Sequence, residues 1–297
     1  MPPSARADQQ RLRELLSGAV TEDAVAAWQG YIGAFHDAVE PSPIAEVFRA
    51  GDGRTSYDMI LEDLARAVPA ADAILDIGCG DGFLAGRMTQ IFPRAHVSAI
   101  DVSQRLLMMA RRKNPRARIA FLQATATSMP FPDESFDAVT AHLVFMLVQP
   151  LERALQETRR VLRQNGRCIF VVDRSHEAGG NYGAIRTICL QFLRECWPRS
   201  AEPQLGDPRA KSRHEFMDLM AAAGVGKGLT THDFEIAAAV EMRDVWPIFL
   251  RMYVFGSLDQ MREAELQRRV LAYLQGRTGP DGRVTLCIPM RIIAGGR

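Results

Sequence analysis

The 297-residue sequence lacks the features of disulfide-stabilised, metal-binding and membrane-spanning proteins. Its five cysteines (Cys79, Cys168, Cys189, Cys196 and Cys287) are odd in number and include no Cys-x-x-Cys pair, so neither a disulfide framework nor a metal site is indicated. No apolar run reaches the ~20 residues that a membrane-spanning helix needs. The polar start, MPPSARADQQRLRELL, has no apolar signal core, and we therefore expect a cytoplasmic protein with no membrane partner.

A charge imbalance is also missing, because 36 Lys and Arg residues stand against 35 Asp and Glu residues. Such a chain has no global attraction to the nucleic-acid backbone, so we expect no nucleic-acid partner. One local basic run lies within residues 111–118. It can be a nucleic-acid patch, but a solvated helix end is the simpler interpretation, since cations suit the negative end of the helix dipole.

The hydrophobic pattern divides the chain into a helical start and an α/β remainder. Apolar residues recur at helical spacing over Thr21–Val39, which Pro41 and Pro43 should end, and a second helix is predicted over Ser56–Ala67. We therefore expect an N-terminal helical cap over residues 1–70. Residues 71–297 form the second predicted domain, with a helical insertion at about 240–278.

Short apolar runs alternate with amphipathic stretches after residue 70. The predicted strands are Ala73–Ile77, His96–Ile100, Ile119–Leu122, Ala138–Ala141 and Arg167–Val172. The predicted helices between them are Leu84–Ile91, Gln104–Arg112 and Leu151–Leu162. This alternation indicates parallel strands joined by right-handed helical crossovers, as in a doubly wound sheet.

The pattern is less regular after Asp173 but remains mixed. Helices are predicted over Tyr182–Trp197, His214–Ala223, Asp244–Gly256 and Gln260–Leu274. Strands are predicted over Leu229–Ala238 and Val284–Ala294. We treat this part as a continuation of the same domain, because no linker or repeat interrupts it.

The most informative segment is ILDIGCGDGF, residues 74–83, which joins the first predicted strand to the next helix. Its three alternate glycines let the backbone turn sharply and let a ligand approach closely. The helix that follows offers free N–H groups to an anion. Asp76 would repel a pyrophosphate but attract an ammonium group. The elements together suit the zwitterionic tail of an amino acid.

A second carboxylate, Asp101, ends the next predicted strand about twenty residues further on. An acidic residue at this position can bond both ribose hydroxyls, a feature that dinucleotide-binding folds share. The dinucleotide fingerprint GxGxxG is incomplete, however, since Phe83 occupies the third glycine position. The two carboxylates combined favour a nucleoside that carries an amino-acid tail.

At this point the sequence resembles the class I, Rossmann-like S-adenosylmethionine-dependent methyltransferases, in particular their small-molecule group. LDIGCGDG is similar to the first motif of that family, and Asp101 to its acidic residue after strand two. MPFPDESFD, residues 129–137, resembles the segment before strand four, and LRQNGR, residues 162–167, the turn before strand five. The resemblance is strong over about Ala70–Asp173.

The resemblance implies a seven-stranded, mostly parallel sheet in the order 3-2-1-4-5-7-6, with strand seven antiparallel. It implies S-adenosyl-L-methionine as the cofactor, with Asp101 on the ribose and the glycine turn under the methionine part. Thr125 stands where the family has an acidic residue for adenine, and a hydroxyl accepts only without charge assistance. The cofactor contacts implied are Asp76, Gly78, Cys79, Gly80, Asp101, Val102, Thr125, Ala126, Thr127, Ala141 and His142.

Candidates on the substrate side follow the carboxyl ends of strands four and five. His142, at the predicted tip of strand four, is either a base or a polar residue lining the cleft. His176 is the other candidate catalytic residue, and Arg174 and Tyr182 are candidate substrate contacts; loop solvation is the alternative for each. The aromatic residues Tyr31, Trp246 and Tyr253 are candidate substrate contacts on helices, where simple packing is the alternative.

Three functions remain open from the sequence. The first is methyl transfer to an oxygen, nitrogen or carbon atom of a small molecule. The second is a protein of the same fold that binds the cofactor without transferring its methyl group. The third is methylation of a protein or RNA, which the neutral charge disfavours. No metal site is expected.

Overall fold

The computed structural model describes residue 30 and residues 47–196, 206–250 and 258–297. The strands are β1 (Ala73–Ile77), β2 (His96–Asp101), β3 (Ile119–Gln123), β4 (Phe136–His142), β5 (Leu162–Asp173), β6 (Thr230–Glu241) and β7 (Arg283–Gly296). The helices in these residues are α1 (Ser56–Ala67), α2 (Phe83–Ile91), α3 (Gln104–Lys113), α4 (Leu151–Val161), α5 (Gly180–Cys196), α6 (Arg213–Ala222), α7 (Met242–Leu250) and α8 (Gln260–Leu274). The predicted helix Thr21–Val39 lies outside the described residues, Gly30 excepted.

One sheet contains all seven strands in the order β3-β2-β1-β4-β5-β7-β6, which confirms the predicted order. Strands β1 to β5 pair in parallel with their neighbours, and β7 runs antiparallel to β5. The chain order reverses between β1 and β4. In sheets of this kind the ligand crevice lies at that reversal, outside the carboxyl ends of the strands.

Burial on both faces explains why the central strands are short apolar runs. In β1 every residue after Ala73 is buried, and β4 is buried over most of its length. On one side of the sheet three fully buried rings pack together. The ring centroids of Phe145 and Phe170 lie 4.2 Å apart, and those of Phe170 and Phe216 lie 6.2 Å apart. This packing holds the carboxyl ends of β4 and β5 in place.

Strand β5 begins earlier than the pattern predicts. The sequence predicts a helix through Leu162 and a strand from Arg167, whereas β5 already pairs Leu162 with Phe136. The register then shifts before Ala138 pairs with Arg167, and Asn165 takes a φ of +64° within the irregular segment. The predicted turn is therefore absorbed into the strand as a bulge.

The edge of the sheet at β6 is tied by a buried arginine. Arg291 of β7 is almost fully buried, and its guanidinium donates to both carboxylate oxygens of Asp233 in β6 at 2.6 and 3.0 Å. Arg213, the first residue of α6, also pairs with Asp233. A bidentate pair of this kind fixes geometry as well as charge.

The chain forms two compact units that alternate along the sequence. The sheet unit comprises residues 52–173, 206–234 and 290–297, and the second unit the described residues within 1–51, 174–205 and 235–289. Helix α1, which the sequence analysis placed in the N-terminal cap, belongs to the sheet unit. The boundary at residue 70 stays a prediction. None of the described helices is both long and apolar enough to cross a bilayer.

Candidate active site

The turn between β1 and α2 holds three glycines in the left-handed region, with φ of +64° at Gly78, +56° at Gly80 and +77° at Gly82. A Cβ added to Gly78 would lie 2.3 Å from Cγ2 of Val144, so a side chain there would collide. A Cβ added to Gly80 would meet no described atom within 4 Å. The backbone at Gly80 therefore borders open space that a ligand can enter.

Asp76, on β1, is a buried carboxylate that is only half satisfied. It is 2% exposed. Thr140, its register partner on β4, donates its hydroxyl to Oδ1 at 2.9 Å, while Oδ2 has no hydrogen-bond partner among the described residues. A buried carboxylate oxygen without a donor is costly, so this atom calls for a positively charged or N–H-bearing ligand.

Burial and charge together raise the pKa of Asp76 to about 7. Desolvation is the main cause, the Thr140 hydrogen bond opposes it, and the nearby Asp101 carboxylate adds repulsion. An ammonium group beside Oδ2 would reverse both effects, because it restores the lost polar contact and screens the second carboxylate. Of the chemical groups that Asp76 could receive, a cation therefore fits best.

Asp101, at the end of β2, organises the neighbouring backbone. Its Oδ2 accepts from the N–H of Gly80 at 2.9 Å and its Oδ1 from the N–H of Ser103 at 2.9 Å. The N–H of Cys79 donates to the carbonyl of Ile100 at 3.0 Å, which ties the glycine turn to β2. The two carboxylates, Asp76 and Asp101, thus lie at the ends of paired strands on either side of one turn, as the sequence predicts.

Helix α2 begins beside these carboxylates with its first N–H groups uncapped. Its N-cap is Gly82, and no described side chain caps it. The free N–H groups and the helix dipole favour an anion there. Asp81, the acidic residue closest in the chain, is neutralised by an ion pair with Lys113 of α3. The start of α2 therefore offers a site for a carboxylate.

These features fit the cofactor that the sequence resemblance implies. S-adenosylmethionine has an ammonium group, a carboxylate and a ribose, and the chain offers respectively the orphaned Oδ2 of Asp76, the uncapped start of α2 and Asp101. The open space at Gly80 lies between them in the chain.

The segment after β3 carries the predicted adenine contacts. Thr125 and Thr127 share a hydrogen bond between their hydroxyl oxygens, 3.0 Å apart, and Thr125 forms a bridge with Ser128. Ala126 is buried with the hydrophobic core, so only its backbone is available to a ligand. The N–H of Ala124 donates to the carbonyl of Asp101 at 3.1 Å, which brings this segment to the end of β2. Val102 follows Asp101 there, and its carbonyl accepts from the Gln123 side chain.

His142 lies at the end of β4, as predicted, and its ring is held by two residues of α1. Its Nε2 lies 2.8 Å from Oγ of Ser56, and the ring stacks on Tyr57 with centroids 4.1 Å apart. Burial lowers the pKa of His142 to about 3, so the ring is neutral near pH 7. This environment favours the alternative in which His142 lines the cleft. The preceding Ala141 faces the core.

The remaining candidates lie in the second unit or outside the described residues. His176 is exposed, and its Nε2 lies 3.4 Å from Oε1 of Glu177, which also pairs with Arg174. Tyr182 and Trp246 are buried, and the Tyr182 ring packs against Phe249. This environment agrees with the packing alternative, and their contact with a substrate stays a prediction. Tyr31 and Tyr253 lie outside the described residues.

The predicted site residues do not include four that the structure places near the glycine turn and His142: Ser56, Tyr57, Thr140 and Val144. Thr140 is a polar residue inside the apolar run of β4, two positions before His142, and this interruption was a usable signal. The others carry no local signal, because their role depends on which element packs beside the glycine turn. Burial raises the pKa of the Cys79 thiol, which favours its neutral form.

Metal binding finds no support in the described part of the chain. No three His, Cys, Asp or Glu side chains gather there in a way that could hold an ion. The described cysteines form no disulfide.

Comparisons with known proteins place a methyltransferase domain over the site. Residues 75–170 match a family described as methyltransferase domain. A demethylmenaquinone methyltransferase of Thermus thermophilus is 36% identical over 141 residues, which cover 46% of this chain and 60% of that protein. A malonyl-[acyl-carrier protein] O-methyltransferase of Methylococcus capsulatus is 30% identical over 149 residues, which cover 47% of this chain and 54% of that protein. The match thus spans little more than half the length of these relatives.

Solved structures share the fold over more of the chain. The YcgJ protein of Bacillus subtilis superposes with a TM-score of 0.53 at 20% identity and covers 82% of this chain and 97% of its own. The [4+2]-cyclase SpnF superposes with a TM-score of 0.52 at 20% identity, and the match covers 95% of this chain and 97% of that protein. At this level of identity the likeness establishes the fold and leaves the reaction to be argued from the site.

Proposed function

We propose, from the premise that residues 75–170 form a methyltransferase domain on the class I fold, that this protein transfers a methyl group from S-adenosylmethionine to a small molecule. The acceptor atom is an oxygen, nitrogen or carbon nucleophile. The observation that carries the proposal is the unpartnered, buried Oδ2 of Asp76, on the strand that pairs with that of Asp101 and four residues before the open space at Gly80. We further propose a cytoplasmic location, which the free cysteines support.

Each part of the cofactor has a residue to hold it. Asp76 would accept from the ammonium group, the N–H groups that begin α2 would donate to the carboxylate, and Asp101 would accept from the ribose hydroxyls. The Thr125 hydroxyl would accept one hydrogen bond from the adenine amino group. Because these groups come from the ends of three neighbouring strands, the sheet itself sets their spacing.

Alignment is the main contribution of the chain to the reaction. The bound cofactor supplies a methyl group that its sulfonium already makes electrophilic. The protein has to hold the acceptor in line with that group, at roughly 3–3.5 Å, and to exclude water. His142 is neutral and contacts Ser56, and we do not assign it the role of general base. Acceptors that lose their proton readily need no such base.

Binding measurements on two site variants test the cofactor half of the proposal. Asp101→Ala removes the acceptor for the ribose hydroxyls, and Gly80→Val fills the open space through which the ligand approaches the protein backbone. Isothermal titration with S-adenosylhomocysteine should show at least about tenfold weaker binding for each, because each loses an interaction with a charged group or a close contact. Unchanged affinity in both variants would refute the site.

Two controls separate binding from folding. Asp207→Ala removes a buried carboxylate that accepts a backbone N–H in a turn before α6, so it reports the structural cost of losing such a group. Gly276→Val places the same side chain at another open glycine with positive φ. Both controls should keep the wild-type affinity.

Transfer itself is tested with methyl-labelled cofactor and a mixture of small metabolites. The label should appear in a small molecule. Label that stays on the cofactor despite tight binding would support the second function, a binding protein of this fold that does not transfer. Label in protein or RNA would support the third and overturn the small-molecule acceptor.

A further inference from the structure

The first turn of α1 is fixed against α2 by a network of polar contacts. Thr55 and Asp58 form a capping box, in which the Asp58 N–H donates to the Thr55 hydroxyl and the Thr55 N–H to the Asp58 carboxylate. Arg87, on α2, pairs with the same carboxylate. This network holds residues 55–58 in one place at the carboxyl edge of the sheet, although nothing in the proposed cofactor contacts requires it.

The residues that this turn presents lie against the site. The hydroxyl of Ser56, itself buried, contacts Nε2 of His142 at 2.8 Å. The Tyr57 ring stacks on His142 at 21° between planes and meets Phe83, the first residue of α2, edge-on with centroids 5.0 Å apart. Tyr57 thus bridges the two loops that flank the crevice, one after β1 and one after β4.

One contact bears on which nitrogen of His142 carries the proton. Nε2 lies 2.8 Å from the Ser56 hydroxyl, which can donate or accept. The arrangement is satisfied when Nδ1 carries the proton and Nε2 accepts from Ser56. Ser56 therefore stabilises the neutral ring in one tautomer, and burial lowers the pKa of His142 in the same direction.

Two carboxylates act on Tyr57 in this stacked pair. Burial raises the pKa of the Tyr57 hydroxyl, and the Asp81 and Asp76 carboxylates raise it further. Asp81 is already paired with Lys113, whereas Oδ2 of Asp76 is unpartnered. An uncharged aromatic pair that lies within the field of a carboxylate attracts a cation through both the ring faces and the charge.

We propose that Tyr57 and His142 form an uncharged aromatic face that contacts the sulfonium of the cofactor, and that Ser56 is the positioning residue that keeps His142 neutral. The inference rests on the proposed function. In S-adenosylmethionine the sulfur is bonded to both the amino-acid chain and the ribose, so it lies between the groups held by Asp76 and Asp101. A protonated His142 would repel the sulfonium, and the Ser56 contact favours the neutral ring instead.

The test compares two ligands that differ mainly in charge. S-adenosylmethionine carries the sulfonium, and S-adenosylhomocysteine is the neutral thioether. Tyr57→Leu should weaken the first by about fivefold more than the second, because only the first loses a cation–π contact. Tyr57→Phe keeps the ring and should keep the wild-type ratio. Tyr273→Leu, on α8, is the matched aromatic control and should also keep it.

Nitrogen chemical shifts of His142 test the role of Ser56 without any ligand. In protein labelled with ¹⁵N-histidine, with the His142 signals identified by their loss in His142→Gln, the ring should be a neutral Nδ1–H tautomer throughout pH 5.5–8. Ser56→Ala should mix the tautomers, and Ser56→Thr should restore the single form. The titratable groups next to this cluster are Tyr57, Asp76 and Asp81. Because the pKa of Asp76 is about 7, the series is repeated in Asp76→Asn, where the His142 signals should keep the same neutral tautomer over this range.

The outcomes separate this inference from the proposed function. If the wild-type protein binds neither ligand, the proposed function fails. If it binds both and Tyr57→Leu weakens them equally, the aromatic face fails and the cofactor site stands. A His142 signal that titrates near pH 6.5, or an Nε2–H tautomer, overturns the role given to Ser56.

Discussion

Asp76 carries a carboxyl group whose proton is held more tightly in the folded chain than in an unfolded one. Its pKa is about 7 when folded, against an ordinary value of 3.8. The stability that it contributes is therefore fully present below about pH 4 and is lost as the pH rises through 7, since the unfolded chain ionises at lower cost. A ligand ammonium group favours the ionised form, so ligand binding should expel the proton.

This linkage gives a prediction for Asp76→Asn, which is uncharged at every pH. The melting temperature of the wild-type protein without ligand should fall between pH 5 and pH 8 relative to that of the variant. Titration of the wild type with S-adenosylhomocysteine at pH 6, in buffers of different ionisation enthalpy, should show proton release, and the variant should show none. Parallel melting curves and no proton release would contradict the pKa assigned to Asp76.

Thr125 is the residue at which this chain departs from the acidic adenine contact of the family it resembles. Its hydroxyl is shared with Thr127 and accepts without charge assistance. Replacing it by aspartate, Thr125→Asp, should tighten S-adenosylhomocysteine binding by about fivefold, the difference between a neutral and a charge-assisted hydrogen bond. Thr127→Asp puts the same charge two residues on and should bring no gain; equal gains would mean that the charge acts at long range.

Helix α4 is joined to the segment before β4 by one arginine. Arg160 donates to the carbonyls of Phe131 and Met129 at 2.6 and 3.0 Å and pairs with Glu157 and Asp133. Glu157 is buried and accepts the N–H of Met129 at 2.8 Å. The arginine therefore compensates a buried charge while it fixes a loop.

We expect Arg160→Met to lower the free energy of unfolding by about 2 kcal/mol, because it leaves Glu157 buried without its cation. The midpoint of urea unfolding measures this. Arg112→Met is the control, since Arg112 is exposed on α3 and the described residues supply it with no carboxylate partner. S-adenosylhomocysteine affinity should stay within about twofold in both variants, and equal destabilisation of the two would argue against a special role for Arg160.

At the level of elements, the sequence predicted well wherever burial leaves a pattern in the chain. The predicted bounds of strand Ala73–Ile77 and helix Gln260–Leu274 are the observed ones, because the spacing of apolar residues reflects which face is buried. The start of β5 was missed, since its pairing of Leu162 with Phe136 depends on a neighbouring strand. The same reason explains which site residues the sequence predicts. Asp76 and Asp101 belong to a local pattern with the glycine turn, whereas Tyr57 stacks on His142, 85 residues away in the chain.

For the whole molecule, the balance of 36 basic and 35 acidic residues predicts weak association with polyanions. The basic residues within 111–118 are exposed, but one of them already donates to the Phe121 carbonyl and another pairs with Asp81. Fluorescence anisotropy with a labelled DNA duplex at 150 mM salt should give a Kd weaker than about 10 µM, the range of non-specific binding. A tighter Kd that weakens steeply with salt would revive a nucleic-acid substrate.

The organisation of the whole chain was harder to foresee than its elements. The boundary near residue 70 stays a prediction. The chain leaves the sheet unit after residue 173, returns at 206, leaves again after 234 and returns at 290. Composition does not mark these crossings, because β6 and β7 each run through one of them without a break. A contiguous boundary can be found from linkers, and an interleaved one cannot.

The close approach of Val144 to Gly78 means that two separate constraints act on position 78. A side chain there would have to adopt a φ of +64°, which L residues rarely take, and its Cβ would lie 2.3 Å from Cγ2 of Val144. Trimming Val144 to alanine would remove the collision and leave the backbone strain. Glycine at position 78 therefore serves the shape of the turn, independently of which small molecule the protein acts on.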